Sequence, residues 1–115
     1  MTVDPDVERI ISSFHAAGKP IALCCIAPIL AAKVLGGSAP TLTLGNCGSD
    51  SDWPYQGAIE AAKSFGANME LKGVEEVCID KDNKLVTTPA FMYNGQFHEI
   101  QDGVSLMVRE LLDIV

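Results

Sequence analysis

At 115 residues, with 48% hydrophobic residues and a mean hydropathy of +0.21, the chain is the size of one domain, residues 1–115, with apolar material enough for a core. Its 15 acidic residues against 8 basic ones leave a formal charge of −7, which argues against nucleic acid or an anionic membrane as partner and favours a small neutral or cationic ligand. Four cysteines, two of them adjacent, form neither a disulfide framework nor a zinc-holding spacing, so no metal is expected and a reducing compartment is.

Asp4 and Pro5 make an N-cap and first-turn pair, and Val7, Ile10, Ile11 and Phe14 follow at helical spacing. They predict an amphipathic helix over residues 4–17, stopped by Gly18. Ile21-Ala22-Leu23-Cys24 then reads as a short strand buried on both faces. Pro28 marks the start of a second helix at about Ala27 or Pro28, because its missing N–H would have no partner there, and Gly36-Gly37 closes it. The longest apolar stretch is interrupted by Pro28 and Lys33 and is too short to span a bilayer, while Met1–Asp6 shows no leader pattern.

Thr41–Leu44 predicts a second strand, and Gly45–Asp52 a long polar loop bordering a pocket. A helix is expected from about 55 to 65, ending at Gly66. Val74–Ile79 and Leu85–Thr88 read as an antiparallel hairpin around the charged turn Asp80–Lys84. An apolar stripe from Ile100 to Leu112 marks a last helix over about 96–114. Gly103 would weaken that helix by about 1 kcal/mol relative to alanine, unless something packs closely over it. The order helix, strand, helix, strand, helix, hairpin, helix describes an α/β sandwich with a mostly parallel sheet, whose ligands sit at the carboxyl ends of its strands.

Cys25 falls at such an end, between strand and helix. There its sulfur would face the free N–H groups of the helix, which favour a thiolate; this is the geometry of a nucleophile elbow. The Ile26 backbone N–H, following the nucleophile and opening the helix, is the expected oxyanion donor. The plainer alternative is that Cys25 is a small apolar filler, the role expected of Cys24 on the opposite side of the strand. His15 and His98 read as helix-end or surface residues and Cys47 as an accidental rim thiol. Thr87 and Thr88 suit a strand and could also offer hydroxyls to a pocket. Asp50, Ser51 and Asp52 lack further ligands at usable spacing, and Trp53 and Tyr55 read as a packing lid over the loop.

Gly18–Pro28 with Ala31–Leu35, Trp53-Pro54-Tyr55 and Asn83–Met92 closely resemble the ES-one and isoprenoid-biosynthesis glyoxalase family. This family lies in the class I glutamine amidotransferase-like, PfpI-type superfamily, and the match runs over nearly all of the chain. The resemblance implies a flavodoxin-like three-layer α/β sandwich, incomplete at its N-terminal side. Members carry a further N-terminal half with a glycine-rich strand-loop segment and an acidic residue that, in related enzymes, contacts the nucleophile. It aligns Cys25, and not Cys24, with the elbow cysteine. Many superfamily members place a histidine after the next strand, where this chain has Gly45-Asn46-Cys47. Two functions follow as expectations: an amidotransferase-like domain with little or no catalysis, or a cysteine-dependent glyoxalase-type lyase or hydrolase acting on small reactive carbonyls through Cys25. A small-molecule carbonyl ligand, no cofactor, no nucleic acid and no membrane are expected, in the mitochondrion by resemblance and otherwise the cytoplasm. An uncovered sheet edge or face predicts homo-oligomers.

Overall fold

Asp4 caps the first helix by accepting hydrogen bonds from the N–H groups of Asp6 (2.9 Å) and Val7 (3.4 Å). In the computed structural model, which describes residues 1–115, that helix is α1, Pro5–Ala16. It is followed by β1 (Ile21–Cys24), α2 (Pro28–Val34), a short 3₁₀ turn (Gly36–Ser38) and β2 (Thr41–Leu42). Then come α3 (Gly57–Ser64), β3 (Asn68–Met69), β4 (Cys78–Asp80), β5 (Leu85–Thr88), a 3₁₀ turn (Ala90–Met92) and α4 (Phe97–Asp113). α4 starts where the Gln96 N–H donates to Glu99 Oε1 at 2.9 Å, half of a capping box.

The sheet order is β1-β5-β4, with β5 parallel to β1 (Ala22 beside Val86) and antiparallel to β4 (Ile79 opposite Val86). A second, two-stranded piece pairs β2 with β3 in parallel. Two side-chain bridges tie it to the first piece. The Thr41 N–H donates to Asp80 Oδ2 at 2.7 Å and the Thr43 N–H to Thr87 Oγ1 at 3.0 Å. The expected α/β sandwich is therefore present, with a mixed sheet in which the hairpin supplies the antiparallel pairing.

Alternation along β1 and β5 divides the core in two. Ile21 and Leu23 pack with Leu85 against a cluster that includes Ile11, Ala31, Ala32 and Ile59, from α1, α2 and α3. Cys24 turns to the other face, where Val74, Ala90, Ile100 and Val104 lie beneath α4. Cys25 touches both clusters, so it sits at the end of the sheet rather than on either side.

Four expectations need correction. β4 spans Cys78–Asp80 and not Val74–Ile79, because Val74 and Glu75 form a turn that the Glu76 N–H closes on the Gly73 carbonyl at 3.1 Å. β1 is half-buried along its length, not buried on both faces, because it is the edge strand of its sheet; β5, between two neighbours, is the fully buried one. β2 is two residues long instead of four, since Thr43 gives its N–H to a threonine side chain and not to a strand. β3 was not expected at all: Asn68-Met69 carries no β-branched signal and is a strand only because the Pro40 and Leu42 carbonyls accept the N–H groups of Asn68 and of Glu70 just after it.

Gly103 is explained by contact. A Cβ there would lie 2.1 Å from the Val74 carbonyl oxygen, so α4 seats its backbone directly on the segment leading to β4. Gly36 and Gly66 do the same between α2 and α3, where a Cβ on Gly36 would meet the Phe65 carbonyl oxygen at 2.0 Å.

Candidate functional site

Two adjacent parallel strands end in the same unusual way. Cys25, just past β1, has φ +61°, and Ala90, just past β5, has φ +48°. For a residue with a Cβ the left-handed region costs about 1–2 kcal/mol, so both chain reversals are held by their surroundings. The Cys25 N–H donates to the Thr88 carbonyl at 3.2 Å, extending the β1–β5 ladder by one residue, and the Ala27 N–H closes the turn on the Cys24 carbonyl at 3.1 Å. Pro28 then opens α2 at its first position. A sharp strand-to-helix turn with the cysteine at its apex is what the sequence spacing predicts, and the left-handed φ is its geometric cause.

The two reversals leave a cleft of about 660 Å³ between them. Cys25 and Ile26 form one wall, Phe91 and Met92 of the turn after β5 another, and Pro54, Tyr55, Gly57 and Ala58 at the head of α3 the third. Six of these eight residues are hydrophobic, and the ionisable side chains among them are Cys25 and Tyr55. Ile26, Tyr55 and Phe91 are each about half exposed, so the mouth is apolar as well as the floor. The Ile26 N–H makes no hydrogen bond within the chain and belongs to the residue lining the cleft beside the sulfur.

The other candidates lie elsewhere. His15 bonds through Nε2 to Asn83 Oδ1 at 2.8 Å, at the amino end of β5 and thus at the far end of the sheet from Cys25. His98 is exposed on α4. Thr87 and Thr88 are fully buried and their hydroxyls are engaged, Thr87 Oγ1 accepting from the Thr43 N–H and Thr88 Oγ1 donating to the Glu76 carbonyl at 2.8 Å. They are structural and do not line the cleft. The Asp50–Asp52 segment is knit together by its own serines and by Gln56, which donates to Asp50 Oδ1 at 3.1 Å, and no group of three or more potential ligands assembles. Trp53 does act as packing, stacking on Tyr93 at 4.8 Å between centroids and lying on Gly45, where a Cβ would meet its ring at 2.7 Å. Tyr55, by contrast, is a cleft residue. Pro54, Phe91 and Met92 were missed as site residues, and the only hint was the position of the Pro89-Ala90-Phe91-Met92 run just after a strand.

The four thiols differ in environment. Burial pushes the Cys78 thiol up to about 12, with the neighbouring Glu70 adding to the rise, and its residue is fully enclosed. Burial also raises the Cys24 thiol, helped by the charge that would develop on Cys25. Brief alkylation of the folded protein near neutral pH is therefore expected to modify Cys25 in the cleft and exposed Cys47, leaving Cys24 and Cys78 unmodified. Peptide mass mapping checks this; labelling of Cys24 ahead of Cys25 would mean that the cleft is closed.

No family model matches the chain. It is 48% identical over 113 residues to a rat protein named "ES1 protein homolog, mitochondrial", an alignment covering 97% of this chain and 42% of that protein. It is 50% identical, again over 113 residues, to the human "Glutamine amidotransferase-like class 1 domain-containing protein 3, mitochondrial", with 97% and 41% covered. Among solved structures it superposes with a TM-score of 0.81 at 19% identity on an isoprenoid biosynthesis protein with amidotransferase-like domain from Ehrlichia chaffeensis, over 99% of this chain and 48% of that one. The chain thus spans about two fifths of the length of the curated relatives it matches.

Proposed function

Because the chain belongs to the ES1 family of class I glutamine amidotransferase-like proteins, we propose that it is an amidotransferase-like domain whose Cys25 captures small neutral carbonyl compounds without turning them over efficiently. The observation that carries this reading is the pairing of an elbow cysteine with an apolar cleft whose only other ionisable side chain is Tyr55.

The chemistry follows from that inventory. The sulfur, after losing its proton to solvent, adds to an aldehyde carbon; a C–S bond forms, the carbonyl π bond breaks, and the oxygen takes a proton to give a hemithioacetal. The Ile26 N–H stands ready to hold that oxygen while it is negative. Going on to a 2-hydroxy acid requires a base to remove the proton from the sulfur-bearing carbon, within hydrogen-bond reach of it. Neither histidine is in the cleft, and no carboxylate lines it. The reaction therefore stops at the adduct.

Methylglyoxal is the test substrate. Intact-mass spectrometry of the folded protein is expected to show one adduct more than Cys25→Ala does, exposed Cys47 reacting in both, while bulk methylglyoxal is consumed no faster than by that variant. Multiple turnovers lost in Cys25→Ala would replace this reading with the glyoxalase one, which the left-handed elbow independently favours. An adduct count that is the same in Cys25→Ala would remove the site altogether. The compartment we assign is the mitochondrion, on the names of the two mammalian relatives.

A further inference from the structure

We propose that Cys24 and Cys25 are a reversible redox pair, in which hydrogen peroxide oxidises Cys25 and Cys24 resolves the product to a disulfide between the two neighbours. The proposal rests on the local geometry of the two thiols and does not depend on carbonyl capture.

That geometry starts from the chain reversal. In a parallel strand φ lies near −120° and successive side chains point to opposite faces. The direction of one side chain relative to the last turns with the φ angle between them. At Cys25 φ is +61°, about half a turn from the strand value, and this rotation carries its side chain back to the face that Cys24 occupies. The packing agrees: both residues lie against the same three buried side chains, Val74, Ala90 and Ile100. The electrostatics register the same closeness, since burial raises the Cys24 thiol first and negative charge on Cys25 adds to the rise.

The two thiols divide the work. Cys25 lines the cleft, where a small neutral peroxide reaches it, while Cys24 is held protonated by burial and does not compete for the first step. The Cys25 thiolate attacks the peroxide: an S–O bond forms, the O–O bond breaks, and the departing hydroxide takes up the proton that the thiol shed, leaving a sulfenic acid and water. The Cys24 sulfur then attacks that of Cys25. An S–S bond forms, the S–O bond breaks, and the hydroxyl leaves with the Cys24 proton as a second water. Cys24 is tethered beside its target, so this step outruns attack by a second peroxide.

Such a bridge is readily undone. Neighbouring Cα atoms stand about 3.8 Å apart, below the roughly 4.4–6.8 Å of ordinary disulfides, and strained disulfides are the ones that thiols reduce easily. The pair thus spares Cys25 from irreversible sulfinic acid and withholds it from the cleft only while oxidant is present.

A small molar excess of hydrogen peroxide, followed by alkylation and tryptic mapping, tests the pair, because the peptide Ile10–Lys33 carries both thiols and no other, trypsin leaving the Lys19–Pro20 bond intact. The wild-type peptide is expected two hydrogens lighter than its reduced form, unalkylated, and restored to two alkylatable thiols by reduced glutathione. In Cys24→Ala nothing resolves the sulfenic acid, so dimedone should trap Cys25 at least several-fold more than in the wild type, and without dimedone the sulfinic acid should accumulate. A wild-type peptide that stays reduced, or whose Cys25 becomes sulfinic acid while Cys24 remains alkylatable, overturns the proposal. A bridge from Cys25 to Cys47 or to a second molecule overturns it too, as does equal dimedone trapping in the two proteins. The wild-type peptide decides the matter even where the variant fails to fold.

Discussion

Replacing Gly103 with alanine is expected to destabilise the protein by about 2–3 kcal/mol, the upper part of the range for overpacked sites. Helix propensity alone points the other way, since alanine in a helix interior is favoured over glycine by about 1 kcal/mol. Space decides the sign. The added methyl would sit 2.1 Å from the Val74 carbonyl oxygen and 3.2 Å from Thr88 Oγ1, and the first of these is backbone that cannot rotate aside. α4 would have to lift from the sheet, loosening Ile100 and Met107 from their buried positions. Urea unfolding of the wild type and Gly103→Ala gives the comparison, and a variant as stable as the wild type would mean that the helix does not rest on Val74.

Asp80→Ala is expected to be comparably costly, about 2–4 kcal/mol, because it strands three partly buried donors, and a fully buried one costs about 1–3 kcal/mol. Asp80 is 7% exposed, and its carboxylate accepts from the Thr41 N–H at 2.7 Å, the Asn83 N–H at 3.0 Å and Asn83 Nδ2 at 2.9 Å. Burial acts to raise its pKa, but these hydrogen bonds from Thr41, Asn83 and the Asp82 backbone outweigh it and hold the carboxyl below its ordinary value. The sign of the pH effect follows. A depressed folded pKa gives stability that is fully present above the unfolded carboxyl value of about 4 and is lost as pH falls through the folded pKa. The gap in unfolding free energy between wild type and Asp80→Ala should therefore be widest from about pH 5 upward and narrow below about pH 4. A gap constant down to pH 2 would show that the carboxylate's charge plays no part.

Much of this architecture could be read from local sequence. The Asp4-Pro5 cap, Pro28 at the head of α2, the antiparallel pairing of the hairpin and the stripe of α4 each depend on residues close together, and each is present, the first hairpin strand being shorter than expected at Cys78–Asp80. What could not be read is pairing over distance. β1 takes as neighbour β5, more than sixty residues on, and nothing in Ile21–Cys24 records that its other side is open. β3 exists through its partner's carbonyls, and Gly103 owes its identity to Val74, a residue on another segment. The candidate site divides the same way. The position of Cys25 follows from a strand meeting a proline, but the apolar walls come from three separate stretches that only the folded chain assembles. The partners of the Thr87 and Thr88 hydroxyls were equally hidden, and those partners remove both residues from the site.

The backbone angle at Cys25 has one more implication. Glycine would adopt φ +61° without strain, so a side chain at this position carries a conformational cost of about 1–2 kcal/mol that glycine would not. Keeping a side chain there sets conformational ease against whatever the sulfur does. The cleft thus has a thiol on its wall only by way of a strained chain reversal.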